Sequence, residues 1–134
     1  RFNINIDDAI SLVQFALNNC RGGEIFVPKL ASYNIENLAH AISPNSKIKL
    51  IGIRPGEKIH EELITQTDSL YTYDIGKYYV ILNKIKDNYY YKKFNKVKKD
   101  FSYNSGDNKP FLKVKEIRDL IKKNNNSYYC ESQG

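Results

Sequence analysis

Apolar residues recur at helical spacing twice within the first third of the chain, and a short apolar run bounded by Gly or Pro follows each time. Ala9, Val13, Ala16 and Leu17 fall on one face over 7–19, widened by Ile10 and Leu12. Asn5 and Asp8 are placed to cap this helix, and Gly22 with Gly23 ends it. Residues 24–27 then read as a buried strand closed by Pro28. The unit repeats with Ile35, Leu38, Ala39 and Ile42, capped by Asn34 and stopped by Ser43 and Pro44, before a second strand over 47–53. A turn at 54–57, a short helix marked by Ile59, Leu63 and Ile64, and a strand over 78–82 come next. Val114, Ile117 and Ile121 place one face of a final helix, and a polar, frayed tail is expected from Asn124. Helix and strand alternating at this spacing make the fold class α/β.

The elements are short, and 134 residues hold one domain. With no methionine and Arg1 in first place, the chain reads as a piece of something longer. Chemistry carried upstream is then expected to be missing, and apolar surface to be exposed where another part belongs. A hydrophobic content of 41% with 27% charged residues is that of an ordinary globular domain. No apolar run approaches the ~20 residues needed to cross a bilayer, and the N-terminus has no signal-peptide pattern, so no membrane partner is expected. Cys20 and Cys130 form no disulfide framework, which places the chain in the cytoplasm.

The net charge of +6 is local. Residues 84–100 hold seven Lys and two Asp, a surplus of five, and the rest of the chain is nearly balanced. Lys with interleaved Tyr and Phe could hold a single strand by stacking and phosphate contacts. Yet the run has no Arg, and Lys, Asn and Tyr are abundant throughout. A solvated surface loop with no nucleic-acid partner is the plainer reading.

The most specific local feature spans 52–61. Pro55 and Gly56 suit the central positions of a type II turn, because Pro fixes φ and Gly accepts φ above zero. Arg54 stands at the end of an apolar strand, where ligands gather in open α/β sheets, and it offers a planar fork to a phosphate or diphosphate. The turn also needs no ligand to explain it, and both readings stand. Glu57 either opposes a helix dipole or accepts from a sugar hydroxyl. His40 and His60 have no partner at metal-ligand spacing, so no metal is expected. Tyr73 with Lys77 and Tyr89 with Lys93 have the Tyr-x-x-x-Lys spacing of short-chain dehydrogenases, but that chemistry needs both on one helical turn. Gly76 argues against a helix at the first pair, and the second lies in the Lys/Tyr-rich run. The chain contains no Gly-x-Gly-x-x-Gly dinucleotide fingerprint.

Arg1-Phe2, Gly22-Gly-Glu-Ile-Phe-Val-Pro-Lys29, Ile51-Gly-Ile-Arg-Pro-Gly-Glu-Lys-Ile-His-Glu61 and Tyr103-Asn-Ser-Gly-Asp-Asn108 occur in this order. Together they resemble the C-terminal part of the inverting UDP-N-acetylglucosamine 4,6-dehydratases. These are extended short-chain dehydrogenase/reductase (SDR) relatives that begin pseudaminic acid and other surface-sugar pathways. The resemblance runs from Arg1 to about Lys122, and Val27-Pro28-Lys29 with His60 favours this branch over the membrane-anchored retaining dehydratases. It implies a C-terminal substrate-binding lobe over 1–123, with 84–100 a variable basic loop, 124–134 a polar tail, and the Rossmann core largely missing. It implies a reaction in which NADP oxidises C4 of the hexose, water leaves across C5 and C6, and hydride returns to C6 with inversion at C5. NADP and the catalytic residues are expected in the missing part, with none in this chain. The resemblance gives Arg54 the UDP diphosphate, sets Glu57 beside it, and makes Arg1 a second candidate for the phosphates or the lobe junction. The implied partners are a UDP-sugar substrate and further copies of the full-length enzyme. Lys113, where relatives often have Thr, leaves the start of the last helix in question. A retaining dehydratase, a nucleotide-sugar epimerase and a small basic binding module are the alternatives.

Overall fold

The computed structural model describes residues 1–83 and 89–130, the last six as backbone only. Strand β1 (Phe2–Asn3) leads into α1 (Ile6–Asn19), followed by β2 (Ile25–Pro28), β3 (Ala31–Tyr33) and α2 (Ile35–Ile42). After a stretch without helix or strand come β4 (Glu62–Ile64), α3 (Gln66–Ser69), β5 (Thr72–Asp74) and β6 (Tyr78–Ile81). A 3₁₀ turn at Tyr89–Lys93 precedes β7 (Asn95–Lys96), β8 (Tyr103–Asn104), β9 (Phe111–Leu112) and α4 (Val114–Cys130).

The helix starts follow from side-chain capping. Asn5 accepts from the Asp8 N–H at 2.7 Å, and Asn34 accepts from the Glu36 N–H at 2.7 Å. At α4 the Lys113 N–H donates to the Glu116 carboxylate at 2.7 Å, so the helix starts there without a capping Thr.

The strands form three small sheets. The largest has the order β2-β6-β5-β7, antiparallel throughout, with Ile25 paired to Ile81 and Tyr73 to Lys96. In β6, Tyr78 and Val80 are buried and alternate with half-buried Tyr79 and Ile81, the period-two pattern of a strand with one face on the core. A second sheet sets β3 between antiparallel β1 and parallel β9, and a third pairs β4 with β8. Val27, Ile64 and Tyr103 meet at the centre, ringed by Phe2, Tyr79, Ile81 and Phe101. The buried Val27 and Ile64 side chains each contribute about 1.5–3 kcal/mol. Helices α2 and α4 pack together. Arg118 of α4 donates to the Ala41 and His40 carbonyls at 3.4 and 3.3 Å, which have no partner within α2.

Five expectations are corrected. Residues 47–53 form no strand: Leu50, Ile51 and Ile53 are exposed, and none of the described strands pairs with them. Apolar alternation makes a strand only where a neighbouring backbone accepts its ladder. The helix expected around 59–64 is instead strand β4, drawn straight by pairing with β8 and by burial of Ile64. In α1 the face turned inward carries Phe15, against Phe26 and Tyr78, while Ile6, Ile10, Val13 and Leu17 form an exposed apolar stripe. The backbone beyond Asn124 continues α4 to Cys130, since no Gly or Pro interrupts an established helix there; residues 131–134 lie outside the described part. The basic run, of which 84–88 lie outside it, is more than a solvated loop. Tyr91 is 1% exposed, β7 adds to the large sheet, and the ring of Tyr90 lies under Arg21 at 3.9 Å and Lys93 at 4.1 Å. Two of its tyrosines are therefore engaged by the protein itself.

Candidate functional site

Between α2 and β4 the chain makes the turn that its residues require. The Glu57 N–H donates to the Arg54 carbonyl at 3.0 Å, and Gly56 has a φ of 80°, as at the third position of a type II turn. The Glu57 carboxylate folds back and accepts from the Arg54 N–H at 3.1 Å. That leaves the Arg54 guanidinium exposed, with no hydrogen bond or ion pair to any described residue. An unpaired fork of donors at a turn suits an oxyanion ligand.

Arg1 and Glu57 come together, but the third member of the cluster, Glu61, was not anticipated. The Arg1 guanidinium reaches Glu57 at 3.8 Å and donates to Glu61 at 2.5 Å. Glu61 is itself fixed: its N–H donates to the Ser105 hydroxyl at 2.9 Å, and the Ser105 N–H returns to its carbonyl at 2.8 Å. Ser102 donates to Glu62 at 2.7 Å. The motif at 103–108, read from sequence only as a family mark, thus straps the site segment to the body. Its other members hold the loop between β2 and β3. The Tyr103 hydroxyl accepts from the Leu30 N–H at 2.6 Å and donates to the Leu30 carbonyl at 3.1 Å, and Asn108 donates to the same carbonyl at 2.6 Å. Burial pushes the Tyr103 phenol up and keeps it a neutral donor. The order of these motifs in the chain was the available signal; that the one at 103–108 holds the backbone of Leu30 and Glu61 was not in it.

Beside the turn lies an open groove of about 610 Å³. Ile35, Ile51 and Phe111 give it apolar walls, Lys49 and Lys58 bring positive charge to it, Glu36 brings negative charge, and Arg1 lines it paired to Glu57. Ile53, next to Arg54 in the chain, also lines it. An apolar slot with cationic groups accommodates a flat ring bearing phosphates. Elsewhere, Lys29 pairs with Asp74 at 2.7 Å. Burial raises the Asp74 carboxyl, but the Lys29 ammonium and the Gly76 N–H outweigh it and hold the group below the usual carboxylate range. Among the described residues no group of three His, Cys, Asp or Glu could hold a metal, and no helix is long and apolar enough to cross a membrane. Of the two Tyr-x-x-x-Lys pairs, one spans β5 and the turn after it and the other a five-residue 3₁₀ turn, so neither lies on an α-helix.

Fold and groove together define a mixed α/β lobe of the extended SDR type. Residues 1–83 match the family described as polysaccharide biosynthesis protein, and the chain belongs to that family. It is 42% identical over 130 residues to the UDP-N-acetylglucosamine 4,6-dehydratase (inverting) of Campylobacter jejuni serotype O:23/36, covering 90% of this chain and 39% of that protein. A UDP-glucose 4-epimerase of Rickettsia typhi is 34% identical over 129 residues, covering 90% of this chain and 38% of that one. Among solved structures, Pen from Bacillus thuringiensis superposes with a TM-score of 0.76 at 26% identity, over 92% of this chain and 37% of its own. The chain spans about two fifths of the length of the curated relatives it matches.

Proposed function

We propose that the chain supplies the UDP-sugar-binding lobe of an inverting UDP-N-acetylglucosamine 4,6-dehydratase. The observation that carries this reading is the unpaired Arg54 guanidinium, next in the chain to Ile53 of an apolar groove that Lys49 and Lys58 also line, in a chain 42% identical to two such dehydratases of Campylobacter jejuni. In this role Arg54 grips the diphosphate with a planar fork, Lys49 and Lys58 add positive charge, and Ile35, Ile51 and Phe111 enclose the uracil. Energy from these contacts, remote from the hexose, orients its C4 to C6 for chemistry carried by other residues. NADP, which supplies the hydride chemistry when bound, finds no Gly-rich strand-to-helix cradle among the described residues, so no step through it is assigned to this chain. The reading places NADP and the catalytic residues in the part of the relatives' length that this chain does not span. From the family resemblance it also takes a homo-oligomeric cytoplasmic enzyme at the start of a pseudaminic acid or related surface-glycan pathway.

The test is the complete polypeptide, supplied with NADP and UDP-N-acetylglucosamine and followed by NMR. Expected is a 6-deoxy-4-keto sugar inverted at C5, with Arg54→Ala raising KM about tenfold or more. Unchanged kcat/KM in Arg54→Ala overturns the site. A product keeping its C6 hydroxyl and inverted at C4 favours the second reading, an epimerase, for which the 34% identity to the Rickettsia typhi protein speaks.

A further inference from the structure

We propose that Arg1 is a positioning residue: its guanidinium crosslinks Glu57 of the turn to Glu61, which the strap holds, and so fixes the pose in which Arg54 meets an anionic ligand. This rests on the reading of Arg54 as a diphosphate-binding residue, and it changes the role of Arg1 from ligand to support. The argument begins with charge. Arg1 stands against two carboxylates, at 3.8 Å from Glu57 and 2.5 Å from Glu61, so the three side chains together carry a net negative charge. A diphosphate approaching Arg1 itself meets that surplus and is repelled. The Arg54 guanidinium pairs with neither carboxylate, and Glu57 meets only the Arg54 backbone N–H, at 3.1 Å.

The geometry supplies a connected path. Glu57 uses one carboxylate oxygen for the Arg54 N–H at 3.1 Å and the other for Arg1. Glu61 is fastened through its backbone to Ser105 on both sides of its peptide. Arg1 therefore ties a turn with few other contacts to a segment with many. Its side chain is 24% exposed and those of the glutamates 46% and 49%, so solvent screens the link and the effect expected of losing it is modest. Without it, two like charges four residues apart are left to repel, and the turn loses its lateral tie.

Ligand and support predict different behaviour, readable as the Kd of UDP for the complete polypeptide by calorimetry. A supporting Arg1 acts only through Arg54. Arg1→Ala is then expected to weaken UDP about fivefold in the parent protein and to add nothing in an Arg54→Ala background. Glu61→Gln removes a negative charge near the ligand, yet it is expected to weaken UDP two- to threefold because the tie is lost. A directly binding Arg1 gives multiplying effects in the double variant and tighter UDP in Glu61→Gln. Either result overturns the proposal, as does an Arg1→Ala protein with unchanged UDP affinity. Glu61→Gln keeps the test decisive if Arg1→Ala does not fold, and the Kd for NADP, expected unchanged, separates a local effect from general loosening. If Arg54→Ala leaves UDP binding intact, the reading of the turn itself fails; if Arg54→Ala weakens UDP and Arg1→Ala does not, only the supporting role does.

Discussion

Two glycines near the site are needed for different reasons. At Gly56 the backbone has a φ of 80° and an added Cβ meets nothing within 4 Å, so the demand is conformational. Gly56→Ala is predicted to destabilise the turn by about 1–2 kcal/mol and to weaken UDP along with it, measured by denaturant melts and calorimetry. At Gly106 the demand is space: a Cβ falls 2.8 Å from the His60 ring. His60 is exposed and its ring can swing aside, so Gly106→Ala is predicted to cost about 1 kcal/mol, and to cost nothing in a His60→Ala background. A full penalty surviving in the double variant contradicts that packing. Residue chemistry was well legible in the sequence here, since Pro-Gly announces its turn and Arg54 its donor fork. The Arg1–Glu61 pair was not legible, because sixty residues separate partners that only the tertiary fold brings together.

At the scale of elements, legibility followed the strength of the local signal. Helices α1 and α2 carry apolar periodicity and an Asn cap, and both form where expected. Strands β3, β5, β7, β8 and β9 have two or three residues each, too few for any period, and they exist only through their partners. The same reason undid 47–53, where an apolar pattern without a partner stayed open chain. The 3₁₀ turn makes a prediction of its own. Burial, then the nearby Glu24 carboxylate, pushes the Tyr91 phenol from its usual 10.0 up to about 12. A folded-state value above the unfolded one gives stability that is fully present below pH 10 and lost as pH rises toward 12. Alkaline melts are predicted to show a loss of about 2 kcal/mol across that window, and Tyr91→Phe to flatten it.

At the scale of the whole molecule, runs of apolar side chains among the described residues face solvent, in the α1 stripe of Ile6, Ile10, Val13 and Leu17 and through Leu50, Ile51, Ile53 and Ile59. Exposure on this scale is unusual for a chain that acts alone. Sedimentation velocity of the 134-residue chain is predicted to show concentration-dependent association. Ile10→Asn with Leu17→Lys should shift it toward monomer at unchanged Tm, and no shift would remove α1 from the contact.

The pairing of β2 with β6 joins residues 25 and 81, and the chain between them includes the whole turn and much of the groove. Closing a loop that long costs roughly 3–4 kcal/mol of chain entropy before any ladder bond repays it. The meeting of these two distant strands is therefore expected to be slow, and the site segment rides inside the loop they close. With few contacts of its own to offer an early nucleus, the turn is expected to form late, so Gly56→Ala should hasten unfolding and leave the refolding rate alone, whereas Arg54→Ala should change neither.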